Sequence, residues 1–312
     1  MKVIFLGTSD FSCICLDYIL KSKHSVVAVV TQPDKPSGRG HKLAQPKIKE
    51  MAKEKNIKVL QFEKIRRDGV SSLKSLNADI MVTASYGQIL SQEIIDICPH
   101  KIINVHASLL PKYRGASPIQ YALKNGDEIT GVTIMETQAG IDTGDMLLKQ
   151  EVKIDQNDNF ESLTVKLANC GGSLVVSALD AIEDGSITKT KQNEDEATYT
   201  KMIKSDDMIL NFDDDARSLI NLTRALSPNL GSKMTINGTI FKVFEIKKSN
   251  LEPDHDIKNG TVVLSSPKDG LVIKCNDGAV EILLLQAPGG KIMTSKSYLN
   301  GKKIEVGTVI NE

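Results

Sequence analysis

The first 31 residues limit the fold most strongly, because they alternate between apolar strands and a helix. Residues 2–6 form a short apolar run, and Gly7 turns the chain into an amphipathic segment over about residues 11–22. A second run, rich in β-branched residues, follows at residues 26–31. Two strands joined by a helix run in the same direction, so this βαβ unit predicts a parallel sheet covered by helices.

The same alternation continues as far as Glu183. Segments that we predict to be helices separate further apolar runs, and a long helix is predicted over residues 161–183. The additional predicted strands lie at residues 58–61, 80–84, 102–106, 131–136 and 146–152. This pattern predicts an α/β domain over residues 1–183, with a doubly wound, mostly parallel sheet of the Rossmann type.

The composition changes at Asp184. Residues 184–207 are polar and charged with few large apolar groups, which predicts a linker. A helix is predicted over residues 213–226, and short strands with Asn-Gly and Asp-Gly turns follow it. Residues 208–312 are therefore predicted to form a second, smaller β-barrel domain with an OB-like fold.

The sequence lacks the features that would indicate several common classes of function. Lys+Arg 39 balance Asp+Glu 39, so no net charge indicates nucleic acid or membrane as the partner. The turn at Gly7 is not a GxGxxG fingerprint, no P-loop motif occurs, and no apolar stretch approaches the ~18 residues of a membrane helix. The five cysteines are scattered without metal-ligand spacing, so we predict reduced thiols, no metal site and a cytoplasmic protein.

The densest group of reactive side chains follows a predicted strand. Asn104 and His106 lie two residues apart at its end, so both side chains project from one face. Asp142 lies in a glycine-flanked loop between two other predicted strands. An amide donor, an imidazole and a carboxylate suit acyl or formyl transfer, in which an oxyanion and a proton must be handled. The alternatives are a structural histidine that caps the strand and an Asx-turn at Asp142.

A third feature is the loop after the second predicted strand. Residues 32–50 contain five basic and two acidic side chains, a local net charge of +3. Arg39 lies between two glycines, where it can contact a phosphate or a nucleotide. Two prolines and two glycines predict that residues 32–43 are a mobile loop rather than a helix or strand. The alternative is an ordinary solvated surface loop.

These segments resemble the folate-dependent formyltransferase family. The resemblance rests on NVHASLLPKYRGASPIQ (residues 104–120) and GVTIMETQAGIDTGDML (residues 131–147). Within the family, the loop TQPDKPSGRG and the later segments LLLQAPGGKIM and YLNGKKI are similar to those of members that act on charged initiator tRNA. The resemblance covers nearly the whole chain.

The resemblance implies an enzyme that transfers the formyl group of 10-formyltetrahydrofolate to the α-amino group of methionyl initiator tRNA, for translation initiation. The expected protein is a monomer whose partners are folate and this tRNA, with tRNA bound by the second domain and no membrane or metal involved. Carried over by position, it implies that Asn104, His106 and Asp142 are catalytic. The implied folate-binding residues are Ser108, Leu109, Leu110, Pro111, Tyr86, Gly87, Gln88 and Ile89, and the implied tRNA-binding residues are Arg39 and Lys42.

In the expected mechanism, the amine attacks the formyl carbon, and Asn104 and protonated His106 donate to the oxyanion. Asp142 holds the imidazolium and helps to move the proton from the attacking nitrogen to the departing folate nitrogen. Two rival functions stay open: formylation of an amino-sugar nucleotide or glycinamide ribonucleotide, and an RNA-binding or chaperone-like role on an inactive formyltransferase scaffold. The second domain departs from the family at residues 227–230, which read Ser-Pro-Asn-Leu where the family carries an Asn-Pro-Trp-Pro-type segment. Residues 206–312 hold 13 Lys+Arg against 14 Asp+Glu, so any attraction to phosphate there requires a local patch.

Overall fold

The structure is a computed structural model that describes residues 1–37 and 42–311. It divides into two compact units, each of which gathers segments from different parts of the chain. Unit 1 contains Met1–Pro118, Ile129–Lys153 and Thr164–Thr200, and unit 2 contains Ile119–Glu128, Ile154–Leu163 and Lys201–Glu312.

Strands and helices alternate through the first part of the chain, and strands dominate the last part. The strands in the described residues are β1 (Lys2–Gly7), β2 (Ser25–Thr31), β3 (Lys35–Ser37), β4 (Lys42–Ala44), β5 (Lys58–Gln61), β6 (Ile80–Ala84), β7 (Ile102–His106), β8 (Arg114–Gly115), β9 (Ile129–Glu136), β10 (Met146–Lys153), β11 (Tyr199–Thr200), β12 (Ser232–Ile236), β13 (Thr239–Lys248), β14 (Val262–Ser266), β15 (Gly270–Cys275), β16 (Gly278–Gln286) and β17 (Met293–Thr294). The α-helices are α1 (Asp10–Leu20), α2 (Lys47–Glu54), α3 (Ile65–Asp68), α4 (Val70–Lys74), α5 (Gln92–Ile95), α6 (Pro118–Lys124), α7 (Phe160–Glu183), α8 (Ala216–Leu226) and α9 (Ser295–Gly301).

Unit 1 is built on a seven-stranded sheet in the order β10-β9-β7-β6-β1-β2-β5. The five strands from β7 to β5 pair in parallel, whereas β9 runs antiparallel to β7 and β10 antiparallel to β9. The central strand β1 is buried on both faces, with Val3, Ile4, Phe5 and Leu6 fully inaccessible, as parallel sheets covered by helices require. The predicted α/β domain with a mostly parallel sheet is confirmed.

Helices α1 and α7 contact each other in unit 1. The Tyr18 hydroxyl donates to Asn169 at 3.2 Å, and Cys15 Sγ lies 3.7 Å from the Ala168 carbonyl. By length and composition alone, α7 is apolar enough to cross a membrane. Its apolar side chains are used inside the fold, because Leu167 and Leu179 are fully buried.

The segment of residues 32–43 contains strands, so the prediction of a loop without regular structure is wrong for residues 35–37 and 42–43. Strands β3 and β4 pair antiparallel, with Lys35 opposite Ala44 and Ser37 opposite Lys42. Pro36 is tolerated because both strands of this two-stranded ribbon are edge strands. Proline has no N–H to donate, and on the unpaired edge of a strand no hydrogen bond is lost.

Unit 2 contains an antiparallel sheet in the order β12-β13-β16-β15-β14, with β17 added to β16. The Asn237-Gly238 turn joins β12 to β13 with positive φ at both residues, so this predicted hairpin is confirmed. Asn259-Gly260 precedes β14 and closes no hairpin, so the prediction there is wrong.

No strand pairing in the described residues joins β14 to β12 directly, but residues 307–311 bridge the gap: the Gly307 N–H donates to Val262 in β14 and the Asn311 N–H donates to Thr235 in β12. The predicted fold class is confirmed, with a barrel that strand pairing does not close.

Helix α8 covers the core of unit 2. It begins at Ala216, later than predicted, because the Asp215 side chain accepts from the Ser218 N–H at 2.6 Å and caps the first turn. Leu219 on its buried face belongs to a cluster that includes Phe241 and Ile273. Charged side chains such as Arg217 lie on its exposed face.

Part of the predicted linker is hydrogen bonded within unit 1. Thr190 and Met146 exchange two backbone hydrogen bonds of 2.8 Å, and the Arg114 N–H donates to the Thr198 carbonyl at 2.8 Å. The division between the units falls after Thr200. Residues 201–205, which follow the last residue of unit 1, form no helix or strand and are mostly exposed.

Limited trypsin digestion is expected to cut first after Lys201 or Lys204, because both residues are exposed and lie outside helices and strands. Lys189 and Lys191 serve as internal controls, since they flank the paired Thr190. The mass of the first fragment, measured by mass spectrometry, identifies the cleavage site. First cleavage after Lys189 or Lys191 would contradict this division of the chain.

Candidate active site

Strand β7 presents Asn104 and His106 on one face of the sheet. On the neighbouring strand β6, the Thr83 hydroxyl donates to Asn104 Oδ1 at 2.8 Å. This bond fixes the orientation of the Asn104 amide, so its Nδ2 hydrogens point away from Thr83. In the described part of the chain, no protein group accepts from Asn104 Nδ2, and the residue is only partly buried, so its N–H groups can reach a substrate oxygen.

The His106 ring is held from two sides. Nε2 lies 3.0 Å from the Tyr113 carbonyl oxygen, which can only accept, so Nε2 carries a hydrogen. Nδ1 lies 3.6 Å from Asp142 Oδ2, which is within ion-pair range and too long for a hydrogen bond. The residue is only 6% exposed. Proton uptake is therefore possible at Nδ1, on the side that faces the carboxylate.

Asp142 reaches this position through a loop that folds back on β9. A Cβ atom at Gly144 would lie 1.8 Å from the Glu136 carbonyl oxygen, so only glycine allows this close approach. Asp142 itself has a φ of +51°, in the left-handed region. The Gly115 N–H donates to Asp142 Oδ2 at 2.8 Å and fixes the carboxylate opposite His106. The three predicted catalytic residues therefore lie in one site.

Sequence reasoning missed the groups that hold this site. Tyr113 and Gly115 contact His106 and Asp142 through backbone atoms, which no residue-type signal identifies. Between them, the Arg114 side chain is fully buried and forms a bidentate ion pair with Glu194 at 2.8 and 2.7 Å. The sequence around Arg114 contains Lys112 and Ser117, so nothing in it marks this arginine as buried.

The turn at residues 108–111 is tightly packed. The Ser108 hydroxyl is fully buried and donates to the Lys112 carbonyl at 2.6 Å. Leu110 is also fully buried, the Leu110–Pro111 peptide bond is cis, and Leu109 is half-buried. Ser108 and Leu110 thus shape this turn from inside, and Leu109 is the more accessible of the predicted folate-binding residues here.

The other predicted folate segment combines buried supports with one exposed apolar side chain. Tyr86 packs in a core cluster with Ile4 and Leu6, and burial raises the pKa of its hydroxyl. Gln88 accepts from the Ile65 N–H at 2.8 Å and so braces the loop. Gly87 adopts a φ of +83°, and the Ile89 side chain beyond it is 76% exposed.

A cavity of about 300 Å³ lies beside the chain that follows β9. Its lining includes Gln92, Lys101 and Thr137. Thr137 Oγ1 is buried and has no hydrogen-bond partner within the described ranges. A buried hydroxyl without a partner suits a polar ligand, and the cavity lies between the chain that leads to Asp142 and the residues after the predicted folate segment.

The predicted tRNA-binding residues are not placed as side chains. Arg39 lies outside the described residues, and only the backbone of Lys42, in β4, is described. Both assignments stay predictions.

Within the described residues, one cluster has the spacing of a metal site: ligand atoms of His24, Asp180 and Glu183 lie within 4.8 Å of one another. The Lys23 ammonium group bridges both carboxylates at 3.0 and 2.9 Å, and the amino group of Met1 contacts Glu183 at 2.8 Å. These cations already neutralise the carboxylates, so the cluster is an ion-pair network.

Comparison with known proteins identifies the family. The family model described as "Formyl transferase" matches residues 1–179, and that described as "Formyl transferase, C-terminal domain" matches residues 202–303. The methionyl-tRNA formyltransferase of Acetivibrio thermocellus is 41% identical over 100% of both chains. That of Clostridioides difficile is 40% identical, over 99% of this chain and 100% of its own. The chain belongs to the methionyl-tRNA formyltransferase family.

The predicted resemblance and the predicted enzyme class are thereby confirmed. A solved structure with a similar fold is WlaRD, a sugar 3N-formyl transferase crystallised in the presence of dTDP and 5-N-formyl-THF. Its TM-score is 0.65 at 22% sequence identity, and the match covers 90% of this chain and 97% of the other. At this identity the likeness concerns the fold alone. The roles of individual residues in this family member rest on the geometry above.

Proposed function

We propose that the chain transfers the formyl group of 10-formyltetrahydrofolate to the α-amino group of methionyl initiator tRNA. The observation that carries this proposal is the joint placement of Asn104, His106 and Asp142 in a chain 41% identical, over its whole length, to a methionyl-tRNA formyltransferase. An activity on the charged tRNA used in translation initiation also agrees with the cytoplasmic location that the sequence predicts.

The proposed reaction starts with attack of the neutral α-amine on the formyl carbon. An α-amino group has a pKa near ~8, so much of it is already unprotonated at neutral pH. A C–N bond forms and the formyl oxygen becomes an oxyanion. The Nδ2 hydrogens of Asn104 are oriented by Thr83 before substrate arrives, so they can stabilise that charge without reorganisation.

The proposed proton route uses His106 Nδ1. Because Nε2–H is donated to Tyr113, Nδ1 is the nitrogen that can take the proton released by the attacking amine. Asp142 then faces the imidazolium and stabilises its charge. The proton passes to the departing folate nitrogen as the C–N bond to folate breaks. This route differs from the expected one, in which protonated His106 donates to the oxyanion and Asp142 helps to move the proton to the folate nitrogen.

Folate is the proposed formyl donor because a formyltransferase of similar fold was crystallised in the presence of 5-N-formyl-THF. We place the folate against the exposed Ile89 and the half-buried Leu109. The cavity lined by Gln92 and Thr137 lies next to this site and offers polar side chains to the folate ring. The buried side chains of Tyr86 and Ser108 support this site from behind.

Amino-sugar formylation is the main rival function, because WlaRD shares the fold. The whole-length identity of 41% to a methionyl-tRNA formyltransferase, against 22% to WlaRD, favours tRNA as the acceptor. The test is to incubate the protein with 10-formyltetrahydrofolate and either charged initiator tRNA or a dTDP-linked amino sugar, then to measure the formylated products. Formylation of the sugar without formyl-methionyl-tRNA would overturn the proposal.

Arg39→Lys is expected to raise the apparent KM for charged tRNA by about 5-fold or more, the effect of losing roughly 1 kcal/mol at a bidentate contact. Lysine keeps the charge but lacks the planar fork of donors that arginine offers to phosphate or base edges. Steady-state kinetics at low and high salt measure this effect, and folate affinity is expected to stay unchanged.

Arg66→Lys makes the same chemical change on the exposed face of α3 and is the matched control. If Arg39 contributed only bulk positive charge, high salt would weaken the wild type until it matched the variant. Equal KM values for wild type and Arg39→Lys at every salt concentration would refute a specific contact.

A further inference from the structure

Residues 190–200, here called the strap, lie along the segments that hold the catalytic residues. At its start, Thr190 pairs with Met146, which follows the Asp142 loop. At its end, β11 pairs in parallel with β8, so Thr200 lies beside Gly115. The same short segment, residues 113–115, contacts His106, Asp142 and the strap. The strap is therefore placed to influence both catalytic side chains.

Arg114 anchors the strap from inside. Its guanidinium group pairs with both Glu194 oxygens and also donates to the Tyr199 hydroxyl at 3.0 Å. Hydrogen bonding to this guanidinium holds the pKa of Glu194 below its usual range. Nε of Arg114 donates to Gln192 Oε1 at 2.9 Å. Planar, bidentate bonds of this kind fix orientation as well as position.

Gln192 connects this anchor to the Asp142 loop. Its Nε2 donates to the backbone carbonyls of Asp142 at 2.8 Å and Gly144 at 2.7 Å. Arginine can only donate and carbonyls can only accept, so one orientation of the amide satisfies all three partners. Gln192 thus holds two backbone atoms of the loop on either side of Thr143.

We propose that Gln192 is a positioning residue for formyl transfer, which fixes the Asp142 carboxylate opposite His106 and is itself oriented by Arg114. This inference rests on the proposed function. Gln192 does not touch the reacting atoms and acts through the Asp142 loop. A displacement of about 1 Å at a catalytic group can cost roughly 10²-fold in rate, so small movements of this loop have large effects.

The test variant is Gln192→Glu, which keeps an acceptor for Arg114 but removes both N–H donors and directs a carboxylate at two carbonyl oxygens. It therefore releases the loop while the strap stays attached. We expect kcat to fall by about 10–100-fold, with the KM values for charged tRNA and folate within about twofold of wild type. Gln150→Glu, on the exposed part of β10, makes the same change away from the site and is expected to keep kcat.

A double-mutant cycle separates positioning from a general structural role. In the Asp142→Asn background, Gln192→Glu is expected to cause little further loss of kcat, because the carboxylate that it positions is already gone. Loss of kcat in the double variant by the product of the two single factors would overturn the proposal. So would reduced resistance to urea with kcat per folded molecule unchanged.

The wild-type assay keeps the two proposals apart. Wild-type protein that does not formylate charged tRNA overturns the proposed function and the inference with it. Active wild-type protein together with a fully active Gln192→Glu variant overturns the inference alone.

Discussion

His106→Ala is expected to lower the turnover of formyl transfer by about 10²–10⁴-fold, the usual contribution of a positioned general acid or base. The variant lacks the Nδ1 atom that takes the proton from the attacking amine, so no imidazolium forms opposite Asp142 during the reaction. Water can replace part of this proton transfer, so activity is reduced and not abolished. Folate affinity is expected to change little, because Ile89 and Leu109 are unaffected.

The measurement is single-turnover formation of formyl-methionyl-tRNA, with folate binding followed separately at equilibrium. His100→Ala removes an exposed histidine and is the matched control, with unchanged turnover expected. Because His106 is buried, urea unfolding of each variant shows whether the folded fraction is comparable. Turnover of His106→Ala at the wild-type rate would rule out His106 as the group that carries the proton.

Asn104→Ala is expected to lower turnover by about 10²–10³-fold, as the loss of one oriented oxyanion donor does in other acyl-transfer enzymes. The amide N–H groups interact with the oxygen only when it becomes charged, so the loss falls on kcat more than on KM. Asn104→Asp is expected to be at least as damaging, because it directs a carboxylate at the developing negative charge.

Thr83→Val provides an intermediate test of the same idea. It removes the hydroxyl that orients Asn104 and leaves the amide in place, so a smaller loss of turnover is expected. Exposed Asn169 offers the control substitution, Asn169→Ala, which is expected to leave turnover unchanged. An Asn104→Ala variant that retains wild-type kcat would show that the amide does not stabilise the oxyanion.

The sequence predicted the framework of unit 1 closely because its signals are local. Strands β5, β6 and β7 occupy the residues predicted for them, and α7 begins one residue before its predicted start. Runs of β-branched residues and helical periodicity reflect interactions of each residue with its near neighbours. The alternation of side chains along β7 likewise placed Asn104 and His106 on one face before any tertiary information was used.

The sequence predictions that were wrong concern pairing between segments. Pro36 and the neighbouring glycines indicated a loop, yet β3 and β4 pair across it. The Asn259-Gly260 pair indicated a hairpin, but no strand lies directly before it, because β13 ends at Lys248. A turn motif shows that the chain can reverse, and the partner strand decides whether a hairpin follows.

The sequence by itself determined the order of strands and helices, the family and the residue types of the site. Only the tertiary structure decided that β9 runs antiparallel, that Asp142 faces Nδ1 of His106, and that a polar segment taken for a linker holds the Asp142 loop through Arg114 and Gln192. The hydrogen bonds responsible join residues 27 to 80 positions apart in the chain. Contacts at such separations impose no period on the neighbouring residues, so they leave no local pattern from which they could be predicted.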